Sequence, residues 1–82
     1  MTKLKHSYYL VEDHLGDDYF EMVTDDPNQE EFIEEVCDEC GENDRILAEF
    51  DTYEDGENAI RAQHYNPDYR DEMIRRLYKT VD

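Results

Sequence analysis

The sequence predicts an α+β domain: a three-stranded antiparallel sheet with helices packed on one face, in the order β-β-α-β-α-α. Three tracts show the alternation of apolar and polar residues that is typical of half-buried strands. Other tracts repeat apolar residues at helical spacing, and two of these open with a capping residue followed by proline. With 82 residues, the chain is expected to form a single small acidic domain over residues 1–82.

The first two strands are predicted to form an antiparallel hairpin. Alternation runs through residues 4–11 and again through residues 19–24. Gly16 and several aspartates between these tracts favour a turn. The side chains expected to face the core are Leu4, Tyr8, Leu10, Phe20 and Met22.

A long amphipathic helix is predicted next. Asp26 is suited to the N-cap, Pro27 to the first helical position and Gln29 to a capping box, and Gly41 favours termination. At 100° per residue, one side of this helix carries Phe32, Ile33, Val36, Cys37 and Cys40. The other side carries Glu30, Glu31, Glu34, Glu35, Asp38 and Glu39.

Alternation over residues 45–53 predicts the third strand, whose core-facing side chains are Ile46, Ala48 and Phe50. A turn at residues 54–56 is expected to lead into a short helix over residues 58–65. Asn66 and Pro67 then predict the start of a final helix. Its buried side chains are expected to be Met73, Ile74, Leu77 and Val81.

The charge of the chain is large and unevenly placed. The formal net charge is -16, and residues 6–44 contain 15 aspartates and glutamates without a lysine or arginine. Residues 61–82 contain five basic and four acidic residues. Such a body repels nucleic acid and anionic membranes and attracts basic partners. Since neither a long apolar run nor a signal-peptide pattern is present, a cytoplasmic protein is expected.

Cys37 and Cys40 form a C-x-x-C pair, which is typical of zinc or redox sites. The three histidines do not show a ligand-like spacing, and the predicted helix places both thiols at its negative end, which would raise their pKa. We therefore expect both cysteines to act as small apolar residues, with Cys40 central on the buried face, and neither a metal nor another cofactor. A zinc site formed by Cys37, Cys40 and one or two histidines is the alternative.

The sequence does not indicate an enzyme. Carboxylates are so frequent that pairs of them carry no information about acid–base catalysis. Ser7 is the only serine, and neither a glycine-rich phosphate loop nor a catalytic triad pattern accompanies it.

The acidic side of the predicted helix suggests an interaction surface. Glutamates four residues apart repel one another, and here no lysine compensates them. In size, acidity and lack of catalytic motifs the chain resembles the DNA-mimic proteins of phages and mobile elements. This resemblance implies an inhibitor with an anti-CRISPR or anti-restriction role, which occupies the basic groove of a DNA- or RNA-binding nuclease or regulator.

On this hypothesis the six carboxylates of the predicted helix face the partner. Asp17, Asp18, Glu54 and Asp55 extend the surface at the turns, and exposed Tyr9, Tyr19 or Tyr53 stack where bases would. The protein itself binds neither nucleic acid nor membrane. The alternative is a regulatory module that binds a basic protein without imitating DNA.

Overall fold

The computed structural model describes residues 3–81. In chain order the elements are β1 (Lys3–Glu12), β2 (Asp18–Met22), α1 (Gln29–Ile33), β3 (Arg45–Thr52), α2 (Tyr53–Gln63) and α3 (Pro67–Thr80). The strands form one antiparallel sheet in which β1 lies between β2 and β3. The predicted α+β class, the three-stranded antiparallel sheet and the order β-β-α-β-α-α are confirmed.

The central strand β1 is buried on both of its faces. Tyr8, Tyr9, Leu10 and Val11 are consecutive in sequence, and all four are buried. Because successive side chains of a strand point to opposite faces, such a run supplies apolar side chains to both sides of the sheet. This explains why β1 rather than β2 or β3 takes the central position.

The larger core lies between one face of the sheet and the helices α2 and α3. Tyr8 and Leu10 contribute to it from β1, and Phe50 contributes from β3. The Phe50 ring stacks against Tyr8 and meets the edge of Phe20, with ring centroids 6.2 and 5.9 Å apart. The other buried members of this cluster are Leu4, Ile60, Met73, Leu77 and Val81.

A smaller cluster covers the opposite face of the sheet. Tyr9 and Val11 of β1 pack there against Ile33 of α1, with Tyr19 and Val23 at the edge. The structure thus differs from the predicted arrangement on one point. α1 lies on the face opposite to α2 and α3, so the sheet is covered on both sides.

A β-bulge changes the orientation of side chains in β3. Leu10 pairs with Ala48, whereas Val11, the next residue of β1, pairs with Ile46. β3 therefore carries one extra residue, Leu47, at this point. The prediction that Ile46 shares a face with Ala48 is wrong, because the bulge turns Ile46 towards the smaller cluster.

α1 is much shorter than predicted. It comprises five residues, Gln29–Ile33, with Glu34 as its C-cap, and therefore ends well before Gly41. Continuing the helix would have placed Glu34 and Glu35 one turn after Glu30 and Glu31, and these like charges destabilise a helix. A helix of this length also forms few of the hydrogen bonds that must offset the cost of nucleation.

The predicted capping box at the start of α1 does not form. Asp26 accepts a hydrogen bond from the amide of Asn28 at 2.9 Å. The Gln29 side chain points back to the end of β2, where it accepts from the amide of Thr24 at 2.9 Å and donates to the carbonyl of Met22 at 2.6 Å. The N-cap of α1 is therefore Asn28, whose side chain does not form a capping hydrogen bond.

α2 begins earlier than the predicted start at Asn58. Thr52 is its N-cap, and the Thr52 hydroxyl accepts a hydrogen bond from the amide of Asp55 at 3.1 Å. The expected turn at residues 54–56 is instead the first turn of the helix. Gly56 is buried there, and a Cβ atom at this position would lie 3.1 Å from the side chains of Phe50 and Leu77.

α3 begins as predicted. The Asn66 side chain accepts hydrogen bonds from the amides of Asp68 at 2.9 Å and Tyr69 at 3.4 Å, and Pro67 occupies the first helical position. Of the four side chains expected to be buried, Met73, Leu77 and Val81 are buried and Ile74 is half-buried. None of the helices within residues 3–81 has the length and apolar character that crossing a membrane requires.

Replacing Leu77 with alanine should greatly weaken the larger core. Leu77 is fully buried, so Leu77→Ala is expected to lower the free energy of unfolding by about 2–5 kcal/mol. Leu15 is 79% exposed, and Leu15→Ala is expected to change this free energy by less than about 0.5 kcal/mol. Urea denaturation followed by circular dichroism measures both values. Equal losses for the two variants would contradict the described core.

Candidate functional site

Residues 23–44, which we call the acidic segment, contain α1 and connect β2 to β3. The segment carries ten carboxylates, of which nine are exposed and one, that of Asp44, is half-buried. Ile33 and Val23 hold it against the sheet through the smaller cluster. The acidic segment is therefore a charged layer attached by a small apolar contact.

The structure places the six carboxylates of the predicted helix on this segment, and all six are exposed. Only Glu30 and Glu31 lie in α1. Glu34, Glu35, Asp38 and Glu39 follow it on turns and irregular backbone. The prediction of one helical row with regular spacing is wrong, although the exposure that it required is present.

The four carboxylates expected at the turns do not join this surface as a group. Asp17 is exposed in the turn between β1 and β2. Glu54 and Asp55 are exposed in the first turn of α2, which packs on the face of the sheet opposite to α1. Asp18 is only 4% exposed, so it is unable to face a partner.

Asp18 has a structural role that the sequence did not indicate. Its carboxylate lies 2.5 Å from Nε2 of His64, at the end of α2, and its backbone amide donates to the hydroxyl of Tyr69 in α3 at 3.1 Å. Burial raises the pKa of Asp18, and the hydrogen bond with His64 opposes this effect. Asp18 therefore joins β2 to both long helices.

The tyrosines expected to stack as bases do are engaged within the fold. Tyr9 is buried, and its hydroxyl donates to Oε1 of Glu30 at 2.9 Å. This hydrogen bond, together with burial, raises the pKa of Tyr9 to about 12. The hydroxyl of Tyr19 donates to Asp44 at 2.9 Å, and Tyr53 stacks on Tyr78 with ring centroids 4.6 Å apart. The stacking prediction is wrong for Tyr9 and is not favoured for Tyr19 or Tyr53.

The prediction that Cys37 and Cys40 line a buried helical face is also wrong. Cys40 is exposed and Cys37 is half-buried. On the same predicted face, Phe32 is 77% and Val36 is 58% exposed. Because the helix ends at Ile33, the periodicity on which this prediction depended does not reach the cysteines.

Cys37 and Cys40 instead lie in a tight loop. Cys37 donates its amide hydrogen to the carbonyl of Glu42 at 2.6 Å, and Val36 forms an isolated antiparallel bridge with Asn43. The amide of Gly41 donates to the carbonyl of Cys37 at 2.9 Å. Gly41 has a φ of +74°, a conformation that glycine adopts without strain.

The two thiols of this loop differ in acidity. The backbone amides of Cys40 and Glu39 lower the pKa of the Cys37 thiol. The backbone amide of Glu42 lowers the pKa of Cys40, but the interaction with Cys37 and burial outweigh it, so that this pKa is raised. The expected increase in pKa is therefore wrong for Cys37, where no helix C-terminus lies, and agrees in direction for Cys40.

The turn between β1 and β2 brings a histidine to the same place. His14 Nδ1 lies 2.6 Å from Oδ1 of Asp44, which also accepts the backbone amide of His14 at 2.9 Å. The ligating atoms of His14, Cys37 and Cys40 all lie within 4.8 Å of one another. This group could not be predicted from the sequence, because His14 is far from the two cysteines along the chain. Gly41, directly after Cys40, did indicate a tight turn at the cysteines.

A second group of possible ligands shares this histidine. Atoms of Asp13, His14 and Asp44 also lie within 4.8 Å of one another, and Oδ1 of Asp13 is 3.2 Å from Nδ1 of His14. Hydrogen bonds within the protein already account for this arrangement, since Asp44 holds both the ring and the amide of His14.

Comparison of the chain with protein-family models, with curated proteins and with solved structures finds no match in any of the three.

The raised pKa of Asp18 predicts a specific pH dependence. The folded protein holds this proton more tightly than the unfolded chain, whose carboxyl has a pKa near 3.8. The stability that Asp18 contributes is thus greatest below this value and is lost as pH rises through the higher native pKa. Asp18→Asn removes the ionisation. The free energy of unfolding of the natural chain minus that of the variant should therefore decrease as the pH rises above the unfolded-state pKa near 3.8.

Urea denaturation at several pH values measures this difference. Asp17→Asn is the matched control, because it removes one exposed negative charge from the neighbouring position. A difference for Asp18→Asn that rises with pH, after subtraction of the control, would show that the hydrogen bond with His64 outweighs burial.

Proposed function

We propose that the protein is a DNA mimic, an inhibitor that occupies the basic nucleic-acid-binding groove of another protein through its acidic segment. The observation that carries this proposal is the concentration of nine exposed carboxylates in residues 23–44, within a stretch, residues 6–44, that lacks lysine and arginine. The class of partner is a CRISPR or restriction nuclease, or a related regulator, in the cytoplasm.

Uncompensated negative charge on the acidic segment is the energetic basis of the proposed binding. Salt bridges with arginine engage Glu12, through Arg45 at 3.9 Å, and Glu72, through Arg75 and Arg76 at 3.2 and 3.3 Å. Both glutamates lie outside the acidic segment. Within the segment His14 engages Asp44 at 2.6 Å, and the nine exposed carboxylates supply the charge that would face a partner. A protein that binds DNA does so largely by matching phosphates with lysine and arginine, and it attracts this surface for the same reason.

The negative sign of the charges and their exposure support the proposal. Their spacing does not support it, because it is irregular. The carboxylates after α1 lie on turns, so they do not follow the helical rows that would resemble a strand of phosphates. Inhibition by this surface would depend on filling a positive groove with negative charge, without reproducing the geometry of DNA atom by atom.

A second candidate function is favoured by the exposed side chain of Phe32. This phenylalanine is in α1, at the centre of the acidic segment, and it is 77% exposed. An exposed aromatic residue surrounded by charges is typical of the anchor of a protein–protein interface. On this hypothesis the protein is a regulatory module, and apolar contact contributes more to its affinity than charge.

Removing charge from the acidic segment should weaken inhibition. The test variant carries Glu31→Gln, Glu34→Gln and Glu35→Gln, and the control carries Asp55→Asn, Asp68→Asn and Asp71→Asn. The two differ from the natural chain by the same charge, and all six side chains are exposed. Cleavage of duplex DNA by purified CRISPR nuclease–guide complexes and restriction endonucleases measures inhibition. The test variant should lose at least about tenfold in affinity, whereas the control should lose much less.

Salt and competing DNA separate the two candidate functions. The affinity of a mimic should fall steeply between about 50 and 500 mM salt, and excess duplex DNA should displace it from the nuclease. Affinity that persists in salt and is lost in Phe32→Ala would support the regulatory module instead. Failure of DNA to compete, or absence of inhibition across the panel of nucleases, would refute mimicry.

A further inference from the structure

We propose that His14, Cys37 and Cys40 bind one zinc ion that links the turn between β1 and β2 to the acidic segment. Their ligating atoms already lie within 4.8 Å of one another, although they come from two parts of the chain that are distant in sequence. This proposal does not depend on the proposed function.

The Cys37–Cys40 loop has the features of a metal-binding turn. Two thiols separated by two residues are brought together, and backbone hydrogen bonds close the turn around them. The amide of Cys37 donates to the carbonyl of Glu42 at 2.6 Å, and the amide of Gly41 donates to the carbonyl of Cys37 at 2.9 Å. The backbone thus holds both thiols on one tight loop.

His14 is held in an orientation that suits coordination. Asp44 engages its Nδ1 at 2.6 Å, which leaves Nε2 available to a metal. Metal-binding histidines commonly have a carboxylate on the other ring nitrogen, and this partner sets both tautomer and ring orientation. The hydroxyl of Tyr19 in turn donates to the second oxygen of Asp44 at 2.9 Å. Asp44 is thus a positioning residue.

The distances are compatible with zinc after a small adjustment. Zinc forms bonds of about 2.3 Å to sulfur and about 2.0 Å to nitrogen, so tetrahedral ligand atoms lie about 3.5–3.8 Å apart. The ligand atoms lie within 4.8 Å of one another, so zinc binding requires them to approach by at most about 1 Å. Cys40 is exposed, so its side chain is free to rotate towards the other two ligands.

The sulfur and nitrogen atoms offered by Cys37, Cys40 and His14 favour zinc over calcium or magnesium. Two thiolates and an imidazole suit zinc, whereas calcium and magnesium prefer oxygen ligands. Three protein ligands leave a fourth position for water. Cys40 is exposed, so solvent reaches this side of the ligand group.

Cobalt(II) titration under reducing conditions tests the site directly. One equivalent should produce sulfur-to-cobalt charge-transfer absorption and the visible bands of tetrahedral cobalt, and zinc should abolish both by displacement. Cys37→Ser and Cys40→Ser should each lose most of the charge-transfer absorption, and His14→Asn should weaken binding at least about tenfold. Asp44→Asn should weaken it about 10–100-fold while the thiolate absorption is retained.

His6→Asn is the matched control, because His6 is exposed in β1 and is outside the ligand group. Far-UV circular dichroism without metal shows whether each variant folds, and native mass spectrometry gives the stoichiometry. Zinc should also raise the temperature of unfolding of the natural chain but not of the cysteine variants. Binding without thiolate absorption, or equal affinity for His14→Asn and His6→Asn, would overturn the proposal.

Discussion

The two-sided burial of β1 is the constraint on which the rest of the structure depends. Tyr8 and Leu10 face α2 and α3, while Tyr9 and Val11 face α1, so four consecutive residues of one strand supply both cores. The two sides are unequal, because the larger cluster has eight buried side chains and the smaller one has three. Apolar burial of this kind is the main favourable term in folding. The larger core therefore contributes most of the apolar stabilisation, and the smaller cluster attaches the acidic segment to the sheet.

Attachment of the acidic segment has to overcome the mutual repulsion of its carboxylates. Ile33 alone is buried from α1, so polar contacts take a large share of this task. Tyr9 holds Glu30 in α1, and Tyr19 and His14 both bind Asp44 at the far end of the segment. Each of these contacts uses a carboxylate as an acceptor without neutralising its neighbours. The segment is thus fixed at two points while most of its charge stays exposed.

The parts of the fold that local sequence determines were predictable, and those that distant contacts determine were not. Asn66 and Pro67 mark the start of α3 because capping is a local interaction. The predicted capping box at the start of α1 is wrong, because the Gln29 side chain forms hydrogen bonds with the end of β2 instead of capping its own helix. The bulge at Leu47 was not predictable from the alternation of apolar and polar residues, because that pattern assumes that every residue of β3 pairs in turn. The proximity of His14 to the cysteines follows from how the hairpin meets the segment after β2, which no spacing along the chain encodes.

The proposed metal site and the proposed acidic surface are electrostatically compatible. A zinc ion brings two positive charges, but binding to two thiols releases their two protons, so the net charge of the protein does not change. Coordination by Cys37, Cys40 and His14 would therefore fix the shape of the acidic segment and leave its field intact. Coordination by Asp13, His14 and Asp44 would instead neutralise carboxylates that are already ionised and weaken that field. A surface that functions through negative charge is thus better served by a thiolate site than by a carboxylate site.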